Sequence, residues 1–411
     1  MRRNSLDLQQ MQCKKLKAII GHAYDHVAFY RRKFDSCGMR PEDIHDLADI
    51  AKLPFTTKAE IQSQRFEDVV ANSTIVHRCV KRETSGSTGI PLTIVLDDKA
   101  VDSETATWTR TYLENGLKAR DTMAIVAHPE DFPTKGSFFH GVGVMRKKYI
   151  SVFENIERQV KILEQYHPDA IKGYASALSL LAEKKTESLR PRLLFSGAEL
   201  LDFETRKRIN ASFENQLLDN YGCAEFSLMS WECKEHSGYH INVDSVLMEI
   251  IRNDEPVGPE ERGEIVCTGL SNYAMPLIRF RLEDVGMMNP EACTCDVKLP
   301  LMKIIEGRTE DFLITPDGKR IPPSLFFPYP FERNDEIKQF RVVQETRNRL
   351  VFQVVPKRDL SRETIERANS RIKKIFGEDV QVEFRVMEKI ERSEGGKMRK
   401  VISRVPQQRD W

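Results

Sequence analysis

Residues 83–92, ETSGSTGIPL, crowd Thr84, Ser85, Ser87 and Thr88 around Gly86 and Gly89. Small residues let backbone N–H groups approach an anion closely, and the hydroxyls add donors, so the stretch could cradle phosphate. Read alone it could equally be a solvent-exposed turn. It is not the commonest phosphate loop, because Ile90 follows Gly89 where that loop needs a lysine. A second group of residues could hold a metal. ECKEHSGYH carries Cys233 and His236 as C-x2-H, and EACTCDV carries Cys293 and Cys295 as C-x-C. Thiolates and an imidazole suit tetrahedral Zn²⁺, and a closed set of four implies a structural site. Scattered buried thiols are the ordinary alternative. His236 is preferred to His240 because a C-x2-H turn brings two ligands to one metal with no strand between them.

The elements that must position these residues follow from periodicity. In 155–230, NIERQVKILEQY, SALSLLAEKKTE and LDFETRKRINASFE have helical spacing. Between them lie short apolar strands in DAIKGY, RPRLLFSGAE and NQLLDNYGCAE. Strands alternating with helices of this length mean βαβ units and a parallel sheet. Ligands of such sheets bind beyond the carboxyl ends of the strands. Three turns should therefore share one rim: Gly173–Ser176, Ser196–Gly197–Ala198–Glu199, and Tyr221–Gly222–Cys223–Ala224–Glu225. Residues 237–285 read as β-rich. Beyond 306 the pattern changes to an Asp317–Gly318 hairpin signal, two strands, a helix and a further strand. The expected fold class is α/β: a large domain over 1–310 with parallel βαβ sheets and a β-rich subdomain, and a small α+β domain over 311–411.

Composition excludes other classes. Lys and Arg number 63 against 62 Asp and Glu, so the formal net charge of +1 gives no footprint for nucleic acid and no bias toward an anionic membrane. No apolar run reaches the roughly 18–20 residues of a membrane span. The basic N-terminal stretch lacks the apolar core of a secretory signal, and the eight cysteines then read as reduced thiols or metal ligands in a cytoplasmic protein.

Six motifs in order, TSGSTGIP, SGAELL, YGCAE, MPLIRFRLEDVG, GRTEDFLI and EGGKMRKVISR, resemble the adenylate-forming, acyl-CoA synthetase-like superfamily. The likeness is nearest to the phenylacetate–CoA ligase branch and its capsular polysaccharide relatives. It implies that the protein joins a carboxylic acid, aromatic or otherwise hydrophobic, to AMP with ATP and Mg²⁺, and then passes the acyl group to coenzyme A. It further implies that Thr84, Ser85, Gly86, Ser87, Thr88 and Gly89 hold the β- and γ-phosphates. Ser196, Gly197, Ala198, Glu199 and Tyr221, in the Gly222 and Ala224 turn, would line the adenine pocket. Glu225 would help place Mg²⁺, Asp284 would accept from the ribose hydroxyls, and Arg308 would contact the ribose or phosphate. Asp311 would mark a hinge, and Lys397, on the mobile small domain, would stabilise the adenylation transition state. A structural zinc ion and a homodimer also fit the branch, and His240 would face the acyl or thiol channel.

Two positions depart from the family pattern. Ala224 stands where many relatives have threonine, and Glu283 stands where glycine usually precedes the ribose carboxylate. Segment 121–150, which should help form the acyl pocket, matches no subfamily. Two alternatives stay open: transfer of the acyl group to a carrier protein or to an amine or hydroxyl, and a non-catalytic nucleotide-binding protein with the same fold.

Overall fold

Capped helices separated by short apolar runs dominate the middle of the chain, and there the computed structural model builds the expected parallel sheet. It describes residues 5–84, 92–132, 144–308, 312–321, 336–391 and 399–406. The chain divides into two compact units, one of residues 1–116 with 220–305, the other of 117–219 with 306–410.

In the second unit, strands Arg146–Ser151, Thr122–Ala127, Ala170–Gly173 and Leu193–Gly197 lie in that spatial order, all parallel. Two of the three helices that pack on them begin where the sequence supplies a capping side chain. Asn155 Oδ1 accepts from the N–H groups of Glu157 and Arg158 to start helix Ile156–Tyr166. Asp202 accepts from Thr205 N–H to start helix Phe203–Phe213. Such caps contribute about 1 kcal/mol each. Helix Ala175–Lys184 completes the layer. The helices bury Val160, Leu163, Leu178, Leu181 and Ile209 against Ala124, Val126, Ile171 and Leu194 of the sheet. Burial of each large aliphatic chain is worth roughly 1.5–3 kcal/mol.

The last hundred residues form a sheet of their own. Its order is Gln381–Val386, Arg349–Pro356, Ile337–Thr346 and Val401–Ser403, with an antiparallel central pair and parallel flanking pairs. Helix Arg362–Phe376 packs Ile372 and Phe376 into its core with Val342, Leu350 and Phe352. The Asp317–Gly318 signal forms the turn between Leu313–Ile314 and Arg320–Ile321, with Gly318 at φ 87°. Leu200 lies against this core, and Lys400 is salt-bridged to Asp202, whose carboxyl is held at about 2: burial opposes the shift and the ammonium drives it. The expected boundary residue, Asp311, falls outside the described residues.

In the first unit the pairing is antiparallel. Val246–Arg252 pairs with Arg262–Gly269, which pairs with Phe280–Asn289. Tyr239–Ile241 sits between Ser227–Glu232 and the start of Leu301–Arg308. Helix Ser5–His26 lays Leu16, Ile19, Ile20 and Ala23 on this core, and Gln12 Nε2 donates to the Val246 carbonyl at 3.0 Å. Among the described residues no helix is long and apolar enough to cross a membrane.

Candidate nucleotide site and metal centre

The Ser/Thr/Gly loop grows from a two-stranded stem, Val80–Glu83 against Thr93–Leu96. Thr84 is buried at its mouth. Thr84 N–H donates to the Leu92 carbonyl at 3.0 Å, and Leu92 N–H donates to Thr84 Oγ1 at 3.0 Å, so the two ends of the loop are clamped together. Ser85, Gly86, Ser87, Thr88 and Gly89 lie outside the described residues.

Arg82, on the stem, binds Glu104 of helix Asp98–Glu114 through two contacts of 3.0 and 2.7 Å, and donates to the Ala224 carbonyl at 3.3 Å. It thereby ties the base of the loop to the YGCAE turn. Arg82 had no place in the motif set, although its position two residues before the loop could have suggested one. Ala224 keeps a backbone role whatever side chain it carries.

YGCAE is the tip of an antiparallel hairpin, Leu217–Cys223 against Ser227–Glu232. Gly222 is sterically required there, since a Cβ at that position would lie 2.1 Å from the Ser227 carbonyl oxygen. Gly222→Ala should therefore force the hairpin open and cost about 2–3 kcal/mol in denaturant unfolding. Glu225, at the tip, lines a shallow cleft with Glu104, Ser103, Ser227 and Met275. Cys223, beside it, has its thiol pushed up by burial and then by the Glu225 charge, which makes it a packing residue and no nucleophile.

Tyr221 Oη donates to Asp284 Oδ2 at 2.6 Å. The phenol is pushed up by burial first and by the Asp284 carboxylate second, so it stays a donor. Asp284 reaches Tyr221 through a bulge. Val266 and Glu264 pair with Arg281 and Val285, so the Phe280–Asn289 strand carries two extra residues between matched positions, and Glu283 within it takes φ 63°. A bulge re-aims the side chain beside it. Glu283 thus holds a left-handed backbone at a cost of about 1–2 kcal/mol, a conformation that a glycine would adopt without strain.

In the second unit, Ser196 Oγ donates to Asp219 Oδ1 at 2.5 Å and Ala198 takes φ 64°. Glu199 accepts from Ser176 N–H at 2.8 Å and from Ser176 Oγ at 3.0 Å, which joins the Gly173–Ser176 and Ser196–Glu199 turns on one rim. The Gly197 backbone ends its strand between them. Arg308 ends strand Leu301–Arg308. Lys397 lies outside the described residues.

Cys233, His240, Cys293 and Cys295 bring their ligand atoms within 4.8 Å of one another. Cys233 Sγ is 3.6 Å from Cys293 Sγ, and Cys295 Sγ is 3.3 Å from His240 Nε2. This corrects the choice of His236. The turn does form, with His236 N–H donating to the Cys233 carbonyl at 3.0 Å, but it closes with His236 at φ 49° and its Nδ1 3.6 Å from Glu232. Strand pairing places His240 opposite both Trp231 and Leu301 and seats it, fully buried, at the thiols. A tetrahedron with arms of about 2.3 Å has edges of about 3.8 Å, close to the sulfur separation, so the donor set fits Zn²⁺. Burial lowers the His240 imidazole, favouring the neutral form a metal takes.

A parallel βαβ sheet with a ligand rim, a clamped Ser/Thr/Gly loop and a separate α+β C-terminal sheet define an α/β protein of the adenylate-forming type. Residues 313–404 match the CapK C-terminal domain model. The chain is 27% identical to a phenylacetate-coenzyme A ligase of Thermus thermophilus over 96% of each chain. It is 29% identical to one of Escherichia coli, over 78% of this chain and 75% of the relative. A crystal structure of a 2-hydroxyisobutyryl-CoA ligase in the postadenylation state with R3-HIB-AMP superposes with a TM-score of 0.81 at 20% identity, over 97% of this chain and 90% of that one. The chain belongs to the adenylate-forming superfamily, in the branch of the phenylacetate–coenzyme A ligases and CapK.

Proposed function

We propose that this protein activates a carboxylic acid with an aromatic or other hydrophobic body as its acyl-adenylate, consuming ATP, and transfers the acyl group to coenzyme A. One constellation supports this most: Arg82 joins the stem of the Ser/Thr/Gly loop to the hairpin tip that carries Glu225, while Tyr221 of the same hairpin orients Asp284. The names of the related ligases point the same way. A carboxylate attacking a triphosphate brings two anions together, so donors and cations placed where charge develops supply most of the catalysis.

In this reading Thr84 to Gly89 hold the phosphates, and Ser196 to Glu199 with Tyr221 enclose the adenine. Glu225, which shares its cleft with Glu104, would hold Mg²⁺, whose chemistry is to neutralise the triphosphate. Asp284 accepts from the ribose and Arg308 reaches the ribose or phosphate. The domain from 311 onward carries Lys397 to the developing charge. The setting is cytoplasmic, where ATP and coenzyme A are supplied.

ATP–pyrophosphate exchange against a panel of aryl, aliphatic and amino acids tests the first half-reaction. Exchange should require an acid, and Lys397→Ala should cut it by about 10². No exchange with any acid in folded protein would leave a nucleotide-binding protein without turnover. Exchange without thioester formation would move the second half-reaction to a carrier protein, an amine or a hydroxyl.

Cys233, His240, Cys293 and Cys295 would hold a structural zinc ion that pins the strand ends around residues 233–240 to segment 293–295. Strong chelation or Cys293→Ser should release the metal, read by elemental analysis, and lower Tm by roughly 5–10 °C. Metal-free protein with an unchanged Tm would sink the assignment.

A further inference from the structure

Past the Ser196–Glu199 turn the chain runs through Leu200 and Leu201 to Asp202, the cap of helix Phe203–Phe213. Two contacts from the C-terminal sheet land on these few residues. Leu200 packs against the core that contains Val342, Leu350 and Val401. Lys400 Nζ is salt-bridged to Asp202 Oδ2 and donates to Thr205 Oγ1 at 2.9 Å, while Thr205 Oγ1 donates to Asp202 Oδ2 at 2.7 Å. The lysine and aspartate side chains are only 20% and 13% exposed, so salt and water screen the pair little.

Both partners are held from behind. Asp202 Oδ1 accepts from Thr205 N–H at 2.9 Å, which fixes the carboxylate on the helix end. The Lys400 carbonyl accepts from Val342 N–H at 2.8 Å, Arg341 Nε donates to the Arg399 carbonyl at 2.9 Å, and Val401 pairs with Val342. Lys400 thus stands at the start of the edge strand Val401–Ser403, mounted on its neighbour. An ion pair so enclosed stabilises little, because taking two charges out of water offsets their attraction. Separating the two charges is costly, so the pair favours one docked arrangement over displaced ones. Burial works against the Asp202 charge, and the Lys400 ammonium outweighs it. One side of this joint continues the rim assigned to the adenine. On the other side, Lys400 follows Lys397, assigned to the developing charge, by three positions in the sequence.

We propose that Lys400 is a positioning residue for adenylation: gripped by Asp202 and Thr205, it docks the C-terminal domain on the Ser196–Glu199 rim so that Lys397 meets the nucleotide. The inference rests on the adenylation reading, adds no covalent step to it, and gives Lys400 no contact with substrate.

The test is ATP–pyrophosphate exchange by the full chain, with whichever acid of the aryl, aliphatic and amino acid panel exchanges fastest. Lys400→Met should lower kcat about tenfold and leave the KM for ATP within about twofold, the pattern of an interaction lost only in the transition state. Lys400→Arg keeps the charge and should lose less than about threefold. Asp202→Asn keeps a helix cap and removes the charge, so it should match Lys400→Met, and the double variant should be no slower than either. The comparison that separates positioning from folding is made in Lys397→Ala. There, adding Lys400→Met should change the residual rate less than about twofold, because a residue that acts through Lys397 has nothing left to place. A purely structural role would lower Tm and slow both backgrounds alike. Should Lys400→Met fail to fold, Asp202→Asn serves in the same comparison. Full activity in Lys400→Met and Asp202→Asn, or a loss that persists without Lys397, overturns the inference while adenylation stands. Absence of exchange by wild type with every acid overturns the adenylation reading, and this inference with it.

Discussion

Asp284→Ala should lower acid-dependent ATP–pyrophosphate exchange by about 10³ while leaving the protein folded. The size follows from the two hydrogen bonds a carboxylate makes to the paired hydroxyls of a ribose. Each charge-assisted bond is worth about 1.5–3 kcal/mol, and about 4 kcal/mol together is a factor of 10³. The geometry makes the loss specific. Asp284 is half-buried, aimed by the bulge at Glu283 and steadied by Tyr221 at 2.6 Å. Tyr221→Phe removes only that steadying contact and should cost about tenfold. The KM for ATP should rise in both variants, and Asp284→Asn should fall between wild type and Asp284→Ala because one acceptor oxygen remains. An Asp284→Ala enzyme within threefold of wild type would remove the residue from the nucleotide site.

Local rules carried the sequence reading a long way and stopped where long-range pairing took over. The helices at 156–166, 175–184 and 203–213 and the strands between them were legible because each has its own period and turn, and the first and third their own side-chain cap. The C-terminal sheet and helix were legible for the same reason. The histidine that joins the three thiols was not, because neighbouring in sequence is a poor guide once a chain reverses. Gly238, at φ 135°, turns the chain so that His240 meets Trp231 and Leu301 across two strand pairs. The period-2 pattern of GYHIN was the available signal, since it puts His240 on the face opposite Tyr239 and Ile241. Glu283 departs from the motif, and it sits in a left-handed backbone that sequence alone does not reveal in a non-glycine residue.

The buried pair Arg279–Glu249 was also out of reach, and it carries the largest stability effect expected in the molecule. Arg279, in MPLIRFRLEDVG, is 3% exposed. Its guanidinium contacts Glu249 at 2.8 and 3.2 Å, donates to the carbonyls of Ala51 and Leu53, and lies 4.0 Å over the Phe55 ring. It therefore binds the segment around residues 51–55 to the antiparallel sheet. Arg279→Met keeps much of the volume and leaves a carboxylate and two carbonyls without their donor. Breaking a buried pair in this way costs about 3–5 kcal/mol, where removing both charges can be nearly neutral. Arg279→Met with Glu249→Leu should accordingly recover most of the loss. Protonation offers a second check. Burial already raises the Glu249 carboxyl despite the opposing Arg279 charge, and without the guanidinium it should rise further. A folded carboxyl that holds its proton more tightly than the unfolded one makes stability fall as pH rises. The deficit of Arg279→Met should thus be small near pH 5 and grow toward pH 8, and the double variant should lack that slope. A deficit below 1 kcal/mol with no pH dependence would mean that the sheet holds residues 51–55 by apolar packing alone.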